Sequence, residues 1–142
     1  HADEHVAELV DARVDVDVSI DGADKESILR GQAGLWLSEP AIAALAEGAY
    51  CDKPAEAIRG SGYVVECLEA ALWCFHHTDS VEAAVLAAAN LGDDADTTAA
   101  VCGQLAGACW GESGIPAPWL NNLARRDMLE SALSGLRNVG PM

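Results

Sequence analysis

Residues 90–111 read NLGDDADTTAAVCGQLAGACWG, and this stretch carries the strongest structural signal in the chain. Three aspartates stand within four residues: Asp93, Asp94 and Asp96. A run of small residues follows, with Gly103 and Gly107 at helical spacing, which lets a neighbouring helix approach closely. The stretch predicts a tightly packed helix from about Thr97 to Trp110 behind a strongly acidic turn.

The acidic turn has two interpretations. Asp94 and Asp96 precede the helix, Thr97 adds a hydroxyl oxygen, and hard cations such as Mg²⁺ bind these oxygen types. Aspartate and threonine are also favoured at helix N-caps, where the helix dipole stabilises an acidic side chain by roughly 0.3–1 kcal/mol. A cap needs one aspartate, and three repel one another without a cation. The residues alone leave both a metal site and an ordinary helix start open.

The segment before the aspartates predicts two helices. Residues 61–75, SGYVVECLEAALWCF, place apolar side chains on one face and predict a helix buried on nearly all sides. Residues 79–92 predict the next helix, with Asp79 at its N-cap and Gly92 just beyond its end.

The remaining segments complete a chain that we predict to be all-α. Residues 2–13 have helical periodicity, whereas residues 14–21, VDVDVSID, alternate as a strand would. Residues 23–50 predict two short helices separated before Pro40, because the residue ahead of proline disfavours the helical conformation. A last helix begins at Asp127 and is predicted to bury five apolar residues: Met128, Leu129, Ala132, Leu133 and Leu136.

Length and charge narrow the class of protein. The chain has 142 residues, enough for one domain with a core, and we predict a single domain over residues 1–142. Eight basic and 23 acidic residues give a formal net charge of −15, which argues against a nucleic-acid or anionic-membrane partner because no basic face is available for phosphates. No apolar run approaches the roughly 18–20 residues of a membrane span.

The five cysteines are interpreted as small core residues in a reducing cytoplasm. They show no C-x-x-C spacing, and their odd number argues against a framework of disulfides or a zinc site. A cytoplasmic location follows as a prediction.

Two stretches together resemble a known family. SGYVVECLEAALWCF followed by AANLGDDADTTAAVCGQLAGACWGESGIPAPW closely resembles the C-terminal half of the ADP-ribosylglycohydrolases, which include the dinitrogenase reductase-activating glycohydrolases. The likeness covers about residues 61–136. It implies a compact multi-helix bundle, here truncated at the N-terminus, with a binuclear Mg²⁺ or Mn²⁺ centre. It also implies a hydrolase that cleaves ADP-ribose from a protein side chain, often arginine, or acts on a related ADP-ribose compound.

The resemblance also implies roles for particular residues. The implied metal ligands are Asp94, Asp96 and Thr97, with Asp94 between the metals and both aspartates taking part in catalysis. Asp93 stands where similar proteins commonly carry glycine, so we expect it to be a neighbour of the ligands. Tyr63 and His1 are the implied substrate-binding residues. For Tyr63 a buried aromatic at a helix start is the alternative, and for His1 the remnant of a purification tag.

The chain departs from the family pattern in its ligands. The Thr-Asp-Asp segment and the early Gly-Asp turn of the family have no counterpart, so the three residues above supply about half of a two-metal site. A non-catalytic scaffold or interaction protein that kept the fold, and a solitary weak Mg²⁺ or Ca²⁺ binder, are the alternatives. A partial helical core exposes apolar faces, so we also predict a homo-oligomer.

Overall fold

The computed structural model describes residues 39–138, and within them the chain forms six α-helices and no β-strand. The α-helices are α1 Pro40–Ala46, α2 Val64–His76, α3 Val81–Ala89, α4 Ala95–Trp110, α5 Ala117–Asn122 and α6 Arg126–Asn138. Two short 3₁₀ helices span Ala55–Ala57 and Glu112–Gly114. The all-α prediction is confirmed for this part of the chain. His1, the predicted helix over residues 2–13 and the predicted strand over residues 14–21 lie outside the described residues.

Helices α2, α3 and α4 pack against one another and form the core. Their buried side chains are mostly small: Ala71, Cys74, Phe75, Val81, Ala84, Ala88, Cys102 and Ala106. Alanine and cysteine allow the three helices to approach closely, and a Cβ added at Gly103 would lie 3.7 Å from Cγ2 of Val85. Phe75 is the one large fully buried aromatic among the described residues, and its ring packs edge-on against Trp110 with centroids 5.5 Å apart.

Helix α2 is buried on its core face and half-buried on its other faces, with no exposed residue from 65 to 75, so it agrees with the prediction of burial on nearly all sides except at its two ends. Val64 at its start is 69% exposed. Part of the other side is covered by the loop that follows α1, where Trp73 Nε1 donates to the carbonyl oxygen of Lys53 at 2.9 Å. Lys53 also forms an ion pair with Glu69 at 2.6 Å. The core thus covers one face of α2, and this loop shields part of the opposite face.

Helix α3 begins one residue later than the sequence pattern indicates. Its N-cap is Ser80, whose Oγ accepts a hydrogen bond from the backbone N–H of Ala83 at 3.1 Å. Asp79 is therefore not the cap, because the extended backbone of Ser80 brings the serine hydroxyl to the first free amides. Gly92 follows the helix with φ 80°, the left-handed conformation that glycine adopts without strain.

The last helix, α6, does not bury the apolar residues predicted for it. No residue of Arg126–Asn138 is buried, and the exposed fractions are 55% for Met128, 48% for Leu129, 52% for Leu133 and 72% for Leu136. The core cluster is built from α2, α3 and α4, with no member from α6. The apolar periodicity of α6 thus meets no core partner within residues 39–138.

The prediction that the five cysteines are core residues holds for three of them, while Cys51 and Cys109 are half-buried. Cys67, Cys74 and Cys102 are buried, and no disulfide joins any of the five, all of which lie in the described part of the chain. Burial raises the pKa of Cys74 to about 11, and burial together with the nearby Cys74 raises the pKa of Cys102 to about 12. These two thiols stay neutral and unreactive near neutral pH.

Membrane insertion has no candidate segment between residues 39 and 138: none of the helices there combines the length and the apolar character needed to cross a bilayer.

Candidate metal centre

Asp94 occupies the N-cap position of α4 without acting as a cap. Its side chain accepts no hydrogen bond from the backbone amides of the first turn. Instead, Oδ1 of Asp94 accepts a hydrogen bond from Oγ1 of Thr97 at 3.0 Å. An ordinary helix start would use the carboxylate to satisfy a free amide. The carboxylate is therefore not engaged in capping, although it stands where a cap would stand.

The backbone of Asp94 is held from two directions. Its N–H donates to the carbonyl oxygen of Gly60 at 2.9 Å. Its carbonyl oxygen accepts from the N–H of Thr98 at 3.1 Å and from the Thr98 hydroxyl at 3.2 Å. Thr98 is fully buried, the one buried polar residue among those described. The turn is thus anchored through its main chain, which leaves the Asp94 side chain to other partners.

Residues 60–63, here called the glycine loop, lie directly against the aspartate turn. A Cβ added at Gly60 would lie 3.0 Å from Oγ1 of Thr98, and one added at Gly62 would lie 3.7 Å from Oδ2 of Asp94. The absence of a side chain at Gly60 allows the loop to approach the turn this closely, whereas Gly62 lies at an ordinary contact distance. Two segments some thirty residues apart in the sequence thus form one site.

Tyr63 ends the glycine loop at the N-cap position of α2. Its side chain is 60% exposed, so the alternative of a buried aromatic is wrong. Its ring is accessible to a ligand beside the aspartate turn.

A serine and a glutamate fix the glycine loop. The hydroxyl of Ser61 donates to Oε2 of Glu66 and accepts from the backbone N–H of Tyr63 at 3.2 Å. The sequence alone does not single out Ser61, Glu66 or Thr98. Their signals are weak: a serine five residues before a glutamate in the first helical turn, and a threonine four residues after Asp94.

The other two aspartates differ in their surroundings. Asp96 lies in the first turn of α4 and is exposed. Asp93 has φ 52°, in the left-handed region, which glycine adopts with less strain than aspartate. The structure thus brings Asp94 and Thr97 into direct contact and places Asp96 in the same turn.

The donor set fits a hard divalent cation in part. Two carboxylates and one hydroxyl are oxygen ligands of the type that Mg²⁺ and Mn²⁺ prefer. Within residues 39–138, however, no group of three or more histidine, cysteine, aspartate or glutamate side chains comes together in an arrangement that could hold a metal ion. A complete centre on Asp94, Asp96 and Thr97 needs further ligands.

Residues 4–140 match the ADP-ribosylglycohydrolase family, and the chain belongs to that family. The match extends beyond residues 61–136, over which the sequence resemblance is seen, and includes residues 14–21.

Three characterised relatives are similar to this chain. ADP-ribosylarginine hydrolase Tri1 of Serratia proteamaculans (strain 568) is 47% identical over 94 residues, which are 66% of this chain and 26% of the relative. The enzyme of the same name from Pseudomonas putida (strain GB-1) is 42% identical over 124 residues, 87% of this chain and 33% of the relative. ADP-ribosyl-[dinitrogen reductase] glycohydrolase of Rhodospirillum rubrum is 38% identical over 65 residues, 46% of this chain and 22% of the relative. The chain spans at most about a third of the length of these relatives.

Proposed function

We propose that this chain forms part of a metal-dependent hydrolase that releases ADP-ribose from an arginine side chain of a modified protein. The observation that carries the proposal is the Asp94 carboxylate, which occupies a helix N-cap without capping and accepts a hydrogen bond from Thr97. Membership of the ADP-ribosylglycohydrolase family and similarity to two enzymes named ADP-ribosylarginine hydrolase support the choice of substrate.

Asp94, Asp96 and Thr97 would hold Mg²⁺ or Mn²⁺ in a binuclear centre together with ligands from elsewhere. When bound, the metal ions supply Lewis-acid polarisation and orientation of the ribose hydroxyls. The anchored backbone of Asp94 suits this role, because a fixed main chain limits the movement of the ligand atoms.

The carboxylates also serve the reaction directly. Positive charge develops on the ribose ring as the bond between the anomeric carbon and the arginine nitrogen breaks, and a fixed carboxylate stabilises that charge. A carboxylate of the pair also assists the attacking water by accepting its proton. We assign these roles to Asp94 and Asp96.

Tyr63 is proposed to contact the bound ADP-ribose. Its exposed ring borders the glycine loop, and an aromatic side chain offers a flat apolar surface to a nucleotide or a ribose. His1 remains a predicted second substrate-binding residue.

The test compares two neighbouring aspartates. An ADP-ribosylated arginine peptide is incubated with the 142-residue chain and Mg²⁺, and release of ADP-ribose is measured for Asp94→Asn and for the control Asp93→Asn, which removes the same charge one residue away. Mg²⁺ binding is measured by calorimetry on the same three proteins. We expect Asp94→Asn to lose Mg²⁺ binding and any turnover, and Asp93→Asn to keep both.

The calorimetric result also separates the alternatives. Mg²⁺ binding that depends on Asp94 without turnover indicates a metal half-site whose chemistry needs further ligands. Absence of both signals in the unmodified chain contradicts the proposal and favours a scaffold or interaction protein that kept the fold.

A further inference from the structure

Helix α6 carries an apolar stripe that no core helix covers within the described residues. We define the α6 stripe as Leu129, Leu133 and Leu136, which lie three or four residues apart and therefore on one face of the helix. All three are about half exposed or more. On one flank the stripe is bordered by Glu130 and Arg137, which are two helical turns apart on the same side.

Helix α6 and the preceding Arg125 together differ in charge from the rest of the chain. Residues 125–138 contain three arginines against one aspartate and one glutamate, a formal charge of +1. The remaining residues contain the other five basic and the other 21 acidic side chains. Two copies of so acidic a chain repel each other over most of their surface. That repulsion is weak at the surface of α6, because basic and acidic side chains nearly balance there.

We propose that two copies of this chain associate through the α6 stripe, with the two α6 helices antiparallel about a two-fold axis near Leu133. In that arrangement Leu133 faces Leu133 of the second copy, and Leu129 faces Leu136 of the second copy. The axis also places Glu130 opposite Arg137 of the second copy. Because the interface is symmetric, this pairing occurs twice, once from each copy.

The charges favour the antiparallel arrangement. In a parallel pair the position opposite Arg137 is Ala132 of the second copy, so the match between Arg137 and Glu130 is lost. Ala132 instead borders the stripe on the flank away from Glu130, where a small side chain permits close approach of the two helices.

The expected dimer is weak. A 13-residue helix is about 20 Å long, so a single helix pair buries less than the roughly 800 Å² per partner of a standard interface. We expect a dissociation constant on the order of 10–100 μM and a monomer at low concentration.

Sedimentation equilibrium of the 142-residue chain tests the proposal between about 1 μM and about 1 mM. The mass is expected to rise from the 14.8 kDa of the monomer to twice that value. Higher salt is expected to strengthen the association by screening the acidic surfaces. Leu133→Glu is expected to abolish it, whereas Ser134→Glu, which adds the same charge on the opposite face of α6, is expected to leave it intact.

A charge exchange tests the orientation. Glu130→Arg and Arg137→Glu are each expected to lower the dimer fraction, and the double variant is expected to restore it. Within one copy, Glu130 forms an ion pair with Arg126 at 2.7 Å, and the double variant does not restore this pair. A restored dimer fraction would therefore come from the pairing of residues 130 and 137 across the axis.

Three outcomes would overturn the proposal. A chain that stays monomeric at the highest concentration excludes the dimer. A dimer that survives Leu133→Glu uses another surface. A monomer that loses thermal stability in Leu133→Glu has the α6 stripe covered by its own residues. Far-UV circular dichroism establishes that each variant is folded, and if Leu133→Glu is not, the charge exchange decides.

Discussion

Replacing Gly60 with alanine is expected to disturb the aspartate turn, whereas the same change at Gly62 is expected to be tolerated. A Cβ at Gly60 would lie 3.0 Å from Oγ1 of Thr98, a contact tighter than ordinary van der Waals packing, and 3.5 Å from the carbonyl oxygen of Gly92. Relief requires the glycine loop to move away from the turn. That movement lengthens the hydrogen bond from the Asp94 N–H to the Gly60 carbonyl, which is 2.9 Å long.

The magnitude follows from three contributions. Overpacking of a filled site costs about 1–3 kcal/mol, and a weakened backbone hydrogen bond adds up to about 1 kcal/mol. Alanine also lowers the conformational entropy of the unfolded chain, which offsets about 0.4–1 kcal/mol of this loss of stability. Gly60→Ala is therefore expected to lower the free energy of unfolding by about 1–3 kcal/mol, which is a fall in Tm of about 3–10 °C.

Gly62→Ala is the matched control. Its Cβ would lie 3.7 Å from Oδ2 of Asp94, an ordinary contact. The entropic contribution alone remains, so the free energy of unfolding is expected to stay unchanged or to rise by up to about 1 kcal/mol.

Thermal unfolding and Mg²⁺ calorimetry measure the two consequences. Gly60→Ala is expected to melt earlier and to bind Mg²⁺ more weakly, because the Asp94 backbone loses one of its anchors. Equal melting temperatures for the two alanine variants would refute the reasoning, since both add one methyl group and differ only in the space available.

Three further predictions concern the core, the turn and the pH dependence of stability. Phe75→Ala removes the fully buried ring that packs against Trp110 and is expected to lower the free energy of unfolding by about 3–5 kcal/mol in urea titrations; a loss below about 1 kcal/mol would contradict the packing. Asp93→Gly is expected to be more stable than Asp93→Ala by about 1 kcal/mol, because alanine at φ 52° is strained and glycine is not; equal midpoints would argue against the left-handed turn. The pKa of Cys74 and of Cys102 rises on folding from 9.0 to about 11 and about 12, so stability is expected to be full below about pH 9 and to fall as the pH rises through these values; a Cys102→Ala variant with an equally steep fall would exclude the thiol as a cause.

Helix positions in this chain were largely predictable because their signals are local. The start of α1 at Pro40 and the end of α4 at Trp110 agree with the sequence pattern, and Gly92 has the left-handed backbone expected just beyond α3. Proline and glycine act through the conformation of their own backbone, so no distant residue is needed to see their effect. The predicted cap, Asp79, was wrong by one residue, because Ser80 next to it is an equally suitable capping residue.

The candidate site was predictable in its acidic half only. Asp94, Asp96 and Thr97 attract notice because their residue types and spacing suit a cation. Gly60 and Thr98, which anchor the turn, gave no comparable signal. Gly60 contacts both Asp94 and Thr98 across more than thirty residues of sequence, and such contacts exist only once the helices have packed.

By itself, the sequence determined that this is an all-helical member of a glycohydrolase family with an acidic turn ahead of α4, because periodicity, turn residues and motif spacing are properties of neighbouring residues. Only the tertiary structure decided that the Asp94 side chain leaves its helix uncapped while the Gly60 carbonyl holds the Asp94 main chain from outside the motif. It also decided which apolar faces are buried. An amphipathic pattern identifies the face that needs a partner. Among residues 39–138, such a partner exists for α2 and is absent for α6.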